Sequence, residues 1–572
     1  MPGLVGFSCG PLERPACVAA LDAMKALVTY RDFYGIDEAF CDGVVCASRA
    51  HTRIFQPEPQ PARRGEVYVW LEGEFLNREE LCTRHSVSAA TDPDLLAVLY
   101  TRAHDFSFLR DVDGFFAAVI YDAARGLLHL VPDRYGFRHL YWSDRGGRIA
   151  WASELKAFLH VPGFALSIDA DSVERFFTAG YFTGDRTWLD GVEVVPGGTV
   201  LTWDLAGGAR EATRYWSYEE IHVMDPLPDE DEVIEEWGRL FADSVARCAR
   251  RGRVGVLLSG GLDSRAIVAA LPRSLDPAHL VTFGQEGSDD VEIARRVARL
   301  RGADHHVMLI DERSWLRDRF EGVWWTDGQL NLIDLHSKFT LEPRRAWFDI
   351  NISGFIGDVT MGGSFLRGSR ESEFAAMRNR FRRFTSVGLR MSQPLSESRL
   401  PYVANDLLEF SFSIPSALRK NHYIFNRMLL RAYPDYYRTI PWQKTGVPIT
   451  WPHRLSNAAH YWGKATDRVK TRLRLPGVMP RRRMHFGSYD LWMRREPARA
   501  LFDAILTNPD ALYPSYLEGV DVPGLWRRHL AGERLGSRVG LYVTFEVWLQ
   551  QLFNATHREG PPPGSPAPEP PG

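Results

Sequence analysis

The sequence predicts an α/β protein of two domains, a β-rich domain followed by a doubly wound parallel sheet. Three observations favour this class. The 572 residues exceed what one hydrophobic core usually organises. In the first third of the chain, short apolar runs alternate with Gly, Asp and Pro turns, which indicates strands. Further on, apolar strands alternate with amphipathic helices, which is typical of a parallel sheet.

The β-rich domain is predicted to span residues 1–205. Its strands are expected at four apolar runs: Val67–Leu71, Phe115–Tyr121, Leu127–Val131 and Thr199–Trp203. Residues 206–231 contain Gly-Gly, Asp-Pro and an acidic patch, so this segment is predicted to be a linker.

The second domain is predicted to span residues 232–555. Apolar residues at helical spacing begin it, and strands and helices then alternate up to about residue 352. The expected elements are strand Val254–Leu258, a helix ending before Pro272, strand His279–Phe283, helix Val291–Arg301, strand His306–Ile310, helix Ser314–Trp325 and strand Phe348–Ile352. Beyond Glu371 the pattern is mostly helical, and residues 556–572 have the Pro-rich composition of a disordered tail.

Composition excludes several classes of function. The 69 Lys+Arg nearly balance the 72 Asp+Glu, so the chain as a whole has no attraction for nucleic acid or anionic membranes. It has no signal-peptide pattern and no apolar stretch that could span a membrane, so the cytoplasm is expected. The six cysteines form no CxxC pair, which argues against a disulfide scaffold or a zinc ribbon.

The most informative segment is Leu258-Ser259-Gly260-Gly261-Leu262-Asp263-Ser264, which joins a predicted buried strand to a helix. The glycines allow the backbone to approach an anion, and the first amides of the helix point towards it. A carboxylate would repel bare phosphate, so Asp263 predicts a divalent cation between itself and the phosphates. The segment is neither a Walker loop nor GxGxxG; a capped glycine turn is the alternative.

The loop resembles the pyrophosphate-binding signature of the ATP-pyrophosphatase superfamily, and two further motifs narrow the likeness. The motif Ser353-Gly354-Phe355-Ile356-Gly357-Asp358 is similar to the second nucleotide motif of asparagine synthetases, and Pro441-Trp442-Gln443-Lys444 resembles their late motif. The resemblance implies ATP and Mg²⁺ as cofactors. It implies that Ser353 and Gly354 meet the adenine or ribose, that Asp358 and Asp263 hold magnesium, and that Lys444 neutralises the departing pyrophosphate.

The first domain resembles the class II glutaminase domains of the same enzymes. The motifs are Asp113–Ala117, Asp133–Gly136 and Ala152–Ala157. The likeness implies an Ntn-type αββα sandwich for the first domain. For the second it implies an ATP-pyrophosphatase domain of the adenine nucleotide α-hydrolase-like kind.

Two departures predict that this glutaminase-like domain is degenerate. Working class II glutaminases expose an N-terminal cysteine as nucleophile, whereas this chain has Pro2. Glu72-Gly73-Glu74 replaces the family's Asn-Gly-Glu, and a carboxylate would repel a tetrahedral oxyanion. Cys9 is expected in the core rather than as a substitute nucleophile. We therefore expect no glutamine hydrolysis, with the domain kept as a scaffold or docking surface.

A third departure is Phe355, where asparagine synthetases have glutamate and β-lactam synthetases have tyrosine. Because phenylalanine cannot accept a proton, deprotonation of the attacking amine is either absent as a role or supplied by another residue. Asp334, Glu371 and Glu373 lie in the right part of the chain, but a solvated surface position is expected for each. The adjacent histidines His305 and His306 are expected to be structural, because neighbours on a strand face opposite ways.

The sequence thus predicts an AMP- and pyrophosphate-forming amide ligase whose amine does not come from its own glutaminase. Lasso-peptide or other macrolactam formation is favoured over β-lactam-type cyclisation and sugar-acid amidation. The expected substrate is a small-molecule or peptide carboxylate, with a precursor peptide or leader protease as further partners. The Arg-rich segment 464–483 is a candidate contact for an acidic partner, or a solvated lid. The rivals are an ammonia-dependent asparagine synthetase and a non-catalytic binding protein.

Overall fold

A computed structural model describes residues 2–366, 369–452, 455–456 and 485–555. The Arg-rich segment 464–483 and the predicted tail 556–572 lie outside these residues. Within them, no helix is long and apolar enough to cross a membrane.

The first domain consists of two antiparallel sheets packed face to face. The first sheet has the order β11-β9-β10-β1-β4-β2, with β3 beside β4; the second has the order β13-β12-β8-β7-β6-β5. The strands are β1 (Gly3–Ser8), β2 (Gly35–Ile36), β3 (Phe40–Cys41), β4 (Val45–His51), β5 (Ala62–Arg64), β6 (Val67–Phe75), β7 (Gly114–Asp122), β8 (Leu127–Pro132), β9 (Tyr141–Ser143), β10 (Ala150–Ala152), β11 (Glu193–Val194), β12 (Thr199–Asp204) and β13 (Arg210–Arg214).

Helices cover the outer faces of both sheets. The helices are α1 (Arg14–Val28), α2 (Arg78–Arg84), α3 (Asp92–Ala103) and α4 (Ala170–Ala179). Strand β6 shows how alternation builds the layers, because Val69 and Leu71 pack in the core that includes α3 while Trp70 enters the core between the sheets. The predicted αββα sandwich is confirmed.

The predicted linker at 206–231 is wrong in its first half. Strand β13 pairs with β12 across its whole length, and Tyr215 and Trp216 after it are buried in the first domain. All five side chains of β13 are exposed at the edge of the sheet, so the strand lacks the apolar alternation by which the other strands were predicted.

The second domain contains a five-stranded parallel sheet in the order β16-β15-β14-β17-β18. The strands are β14 (Val254–Leu257), β15 (His279–Gly284), β16 (Asp304–Leu309), β17 (Ile350–Ile352) and β18 (Glu397–Arg399). The chain winds outward from β14 in both directions, as predicted for a doubly wound sheet. The carboxyl ends of β14 and β17 therefore lie at the topological switch point, where such sheets bind ligands.

The helices of this domain follow the predicted alternation, and the mostly helical region continues after β17. They are α5 (Glu230–Ala249), α6 (Asp263–Ala270), α7 (Asp289–Arg301), α8 (Arg319–Trp325), α9 (Leu341–Arg344), α10 (Gly357–Thr360), α11 (Arg370–Ala376), α12 (Ser386–Arg390), α13 (Asn405–Ser413), α14 (Ser416–Arg419), α15 (Tyr423–Ala432), α16 (Pro434–Tyr437), and later Tyr489–Trp492, Ala498–Leu506, Val522–Leu530 and Gly536–Ala555. Helix α8 begins five residues later than predicted, because Asp318 directly before it lies in the left-handed region, with φ 61°, which interrupts a right-handed helix.

The two domains share a continuous apolar core. The buried helix Gly536–Ala555 packs on the first domain, with Tyr542 stacked on Phe177 at 4.8 Å and Trp548 on Trp188 at 5.2 Å between ring centroids. Burial of several aromatic side chains makes this a stable interface. The first domain is therefore packed directly against the second.

Candidate active site

Two loops meet at the switch point, the loop after β14 (258–264) and the loop after β17 (353–358). A Cβ atom on Gly354 would lie 2.8 Å from the Ser264 amide nitrogen, and one on Gly357 would lie 2.7 Å from Cγ of Asp263. Only glycine allows so close an approach. The structure thus brings together the two motifs that the sequence analysis predicted to share one nucleotide.

The first loop is held by its own hydrogen bonds. The Ser259 amide donates to Oγ of Ser264 at 3.1 Å, and the Gly261 amide donates to Oγ of Ser259 at 3.2 Å. The Gly260 amide donates to Oδ1 of Asp290 at 3.0 Å, so it faces a carboxylate and not the cavity. The role of Gly260 in anion binding stays a prediction, since its amide is bound to Asp290.

Because Gly260 has no side chain, the late motif Pro441–Lys444 can pack closely against it. A Cβ atom there would lie 2.8 Å from Cβ of Gln443. The Gln443 amide donates to the Gly260 carbonyl at 3.2 Å, and Arg265 donates to the carbonyls of Gly260 and Pro441 at 3.0 and 2.8 Å. These bonds place the exposed Lys444, next to Gln443, at the mouth of the cleft.

Three charged groups predicted for pyrophosphate chemistry converge there. Burial raises the pKa of Asp263 well above its usual range, and the nearby carboxylate of Asp358 adds to that rise. Burial raises the pKa of Asp358 too. The positive charge of Lys444 opposes the rise at both carboxyl groups. Its ammonium lies 5.2 Å from the centre of the Trp442 ring.

The donor set fits magnesium. Asp263 and Asp358 offer hard carboxylate oxygens as ligands, and because the charge of Asp358 raises the pKa of Asp263, a divalent cation bound by both would relieve this repulsion. Asp263 and Asp358 are the residues that would hold it.

A cavity of about 450 Å³ extends from these loops into the domain. Its volume lies in the range of small-molecule sites. The predicted residues that line it are Leu258, Ser259, Gly261, Asp263, Ser264, Ser353 and Gly354. Leu262 instead packs in the core, where its carbonyl accepts a hydrogen bond from the Tyr437 hydroxyl at 2.8 Å.

The sequence analysis missed Arg344, which lines the same cavity. It is only 1% exposed, and within the described part of the chain no hydrogen-bond partner meets any nitrogen of its guanidinium. Burial lowers its pKa to about 9. An unpaired buried charge is costly, so Arg344 is suited to an anionic group of a ligand. In the sequence it stands in a Pro-Arg-Arg run that looks like ordinary surface charge.

Asp334 also lines the cavity, and the expectation of a solvated position was wrong. It is half-buried, and burial raises its pKa to about 6. Its Oδ1 lies 3.7 Å from Nε2 of His336, whose Nδ1 is hydrogen-bonded to the Tyr489 hydroxyl at 3.0 Å. Burial lowers the pKa of His336 to about 3, so the ring is neutral. Phe355 borders the same cavity and is 46% exposed.

The other two carboxylates considered as bases, Glu373 and Glu371, differ in burial. Glu373 is buried and makes a bidentate pair with Arg419 at 2.7 and 2.8 Å, so the solvated position expected for it was wrong. Glu371 is exposed, as expected. The paired histidines are structural: Nε2 of His305 lies 2.9 Å from the Thr282 hydroxyl, and His306 stacks on Trp347 at 3.7 Å.

In the first domain, the motif around Glu72 is committed to ion pairs. Glu72 is buried and pairs with Arg138, which also binds Glu397 of β18 at 3.0 and 3.1 Å. Glu74 binds Arg399 of β18 at 2.6 and 2.8 Å. Arg138, which Glu72 binds, and Glu74 thus bridge the two domains.

These bridges explain why β18 was not predicted. The strand consists of Glu397, Ser398 and Arg399, and its two charged side chains are buried by ion pairs in place of apolar contacts. Cys9 is fully buried, as expected.

An αββα sandwich joined to a parallel sheet with a glycine-lined cleft defines a two-domain protein of the amidotransferase–synthetase kind. Two family models match it: a glutamine amidotransferase domain over residues 21–216 and asparagine synthase over residues 236–395. The chain belongs to the asparagine synthetase family, with a glutaminase-like and a synthetase domain.

Curated relatives agree. A Methanocaldococcus jannaschii protein named as an asparagine synthetase is 27% identical over 52% of this chain and 59% of its own length. Asparagine synthetase 2 of Bacillus subtilis is 25% identical over 43% of this chain and 34% of its own. Amidase chyE of Penicillium rubens is 29% identical over 49% of this chain and 44% of its own length. The chain thus spans about a third to three fifths of the length of these relatives.

Among solved structures, glutamine phosphoribosylpyrophosphate amidotransferase of B. subtilis is 15% identical, with a TM-score of 0.25. It matches 54% of this chain and 81% of its own.

Proposed function

We propose that this chain is an ATP-dependent ligase that adenylates a substrate carboxylate, releases pyrophosphate and joins the acyl group to an amine. The observation that carries the proposal is the convergence of Asp263, Asp358 and Lys444 at the switch point, beside a cavity that has room for an acyl substrate. The ATP requirement fits a cytoplasmic protein.

The residues act on the first step as follows. A carboxylate is a poor electrophile, so its oxygen attacks the α-phosphorus of ATP and the bond to the pyrophosphate oxygen breaks. Lys444 offsets the negative charge that develops on the leaving pyrophosphate. Magnesium, when bound to Asp263 and Asp358, supplies Lewis-acid stabilisation of the same charge.

The second step needs a base, and we assign that role to Asp334. An amine attacks the acyl carbon, AMP leaves, and the amine must lose a proton. With a pKa of about 6, Asp334 is ionised at neutral pH yet basic enough to accept that proton. It borders the same cavity as Phe355, the residue that cannot accept one.

Arg344 points to a substrate with a second anionic group. A guanidinium without a hydrogen-bond partner among the described residues, at the wall of the cavity, would bind a carboxylate that is not activated. A peptide with acidic side chains and a sugar acid both offer such chemistry. We favour macrolactam formation, as in lasso-peptide cyclases, with β-lactam-type closure or sugar-acid amidation next. A relative named as an amidase supports a role apart from asparagine synthesis.

The amine does not come from glutamine in this proposal. Pro2 has no nucleophile, and Glu72 is buried in an ion pair with Arg138. Asparagine synthesis from aspartate and free ammonia is the second candidate, because relatives carry that name. Phe355 disfavours asparagine synthesis, because asparagine synthetases have a glutamate at this position.

The test is substrate-dependent exchange of labelled pyrophosphate into ATP. The panel contains aspartate, sugar acids, and peptides with an internal Asp or Glu and a free N-terminus, each with and without ammonium. We expect exchange with an acid that carries a second anionic group, and AMP as product. ADP formation, or no exchange with any acid of the panel, would contradict the proposal; exchange with aspartate plus ammonium would favour asparagine synthesis.

A further inference from the structure

Four of the six cysteines come together on the outer side of the first sheet. Cys9 follows β1, Cys17 lies in α1, Cys41 ends β3 and Cys46 lies in β4. All four are buried. The sulfur atoms of Cys9, Cys17 and Cys41 lie within 4.8 Å of one another, and the thiol of Cys46 interacts with those of Cys9 and Cys41.

The spacing matches that of thiolates around one metal ion. Zinc binds sulfur at about 2.3 Å in a tetrahedron, so its sulfur ligands lie about 3.8 Å apart. The sulfurs of Cys9 and Cys41 are 3.9 Å apart. A disulfide would require about 2 Å.

The hairpin that carries two of these cysteines has the form of a metal-binding loop. Cys41 and Cys46 are paired across β3 and β4 and are separated by four residues, a spacing found in structural zinc sites. Oδ1 of Asp42 accepts the amides of Val44 and Val45 at 2.8 and 2.9 Å, and Gly43 adopts φ 94°. This turn directs the Gly43 amide towards the Cys41 sulfur. Such an N–H donor stabilises a thiolate.

A nearby cation offsets part of the charge of such a site. Four thiolates around Zn²⁺ carry a net charge of −2. The guanidinium of Arg148 is close enough to act on the Cys17 thiol, and it is fixed by a hydrogen bond to the Ser8 carbonyl at 2.6 Å.

We propose that Cys9, Cys17, Cys41 and Cys46 bind one structural zinc ion. Each thiol loses its proton to solvent on binding. The ion would fasten the end of β1, helix α1 and the β3–β4 hairpin to one another. It would lie roughly 20 Å along β1 from Pro2, so it has no part in glutaminase chemistry and is independent of the proposed ligase function. The sequence concealed the site because its ligands form no CxxC pair.

The test measures metal content of the full-length protein, purified under reducing conditions without affinity metals and dialysed. We expect about one zinc per chain by mass spectrometry of the elements. Cobalt added to the zinc-depleted protein should bind one to one, with the charge-transfer absorption of thiolate ligands and the visible spectrum of tetrahedral Co²⁺.

Variants locate the site. Cys17→Ser and Cys41→Ser should lose at least nine tenths of the zinc, whereas the control variants Cys82→Ser and Cys248→Ser should keep it; Cys248 is a matched control because it is also buried. If the site variants fail to fold, the cobalt spectrum of the native chain still shows whether thiolates bind the metal in a tetrahedral site. Native protein with neither zinc nor cobalt uptake would overturn the proposal. So would iron with sulfide, a Cys9–Cys41 disulfide, or equal zinc loss in the controls.

Discussion

Replacing Lys444 with Met tests whether the late motif acts in catalysis. The side chain is exposed, with its ammonium beside Trp442, and Met keeps most of the aliphatic stem. Folding should therefore change little. The charge acts on both Asp263 and Asp358, so it lies near the two carboxylates of the proposed magnesium site.

The magnitude follows from that position. A unit charge about 4 Å from another is worth about 4 kcal/mol at the dielectric near a protein surface. Solvent screening at this exposed site reduces the figure, and loss of one charge-stabilising group typically costs about 3 kcal/mol, or on the order of a hundredfold in rate. Because the interaction strengthens as negative charge develops, it affects turnover more than ATP binding.

The assay is AMP formation in a single turnover, with ATP affinity measured separately. We expect Lys444→Met to slow AMP formation on the order of a hundredfold and to change ATP affinity by less than about threefold. Lys25→Met is the control, since Lys25 pairs with Asp22 on helix α1 of the other domain. AMP formation at nearly the native rate, or a loss confined to ATP affinity, would refute the reasoning.

Three further predictions follow from the same geometry. Asp263→Asn should abolish pyrophosphate exchange with an unchanged circular dichroism spectrum; exchange at the native rate would remove Asp263 from the metal site. Asp334→Asn should slow amide formation about a hundredfold and leave pyrophosphate exchange unchanged. In the native enzyme, amide formation should fall as the pH drops through about 6, where Asp334 becomes protonated. The same pH profile in the variant would exclude Asp334 as the base. Glutamine alone should yield no glutamate, and glutamate formation above that of an enzyme-free blank would contradict this.

The sequence predicted the fold well where hydrophobic pattern specifies it. Strands β14, β15 and β17 are largely apolar, and all four strands from β14 to β17 lie within two residues of their predicted bounds. Strands β13 and β18 have exposed or ion-paired side chains, so periodicity carried no signal for them. The charged side chains of β18 are buried because residues of the first domain, distant in the sequence, form ion pairs with them. The local sequence around β18 does not show such partners.

In the candidate site too, residues in contiguous motifs were predicted and isolated charged residues were not. The resemblance to the two nucleotide motifs of asparagine synthetases predicted that their loops meet, and Gly354 does lie against Asp263 and Ser264. Asp334 and Arg344 are single charged residues in connecting segments, and only the folded chain places them at one cavity.

The most direct test of the account follows ¹⁸O from the substrate carboxylate. Once the exchange panel has identified the acid, its carboxylate is labelled and the reaction is run with ATP and the amine. If the acid attacks the α-phosphorus, as the convergence of Asp263, Asp358 and Lys444 predicts, one ¹⁸O atom appears in AMP for each amide formed. Label in inorganic phosphate with ADP as the nucleotide product, or unlabelled AMP, would contradict an acyl-adenylate and with it the central claim.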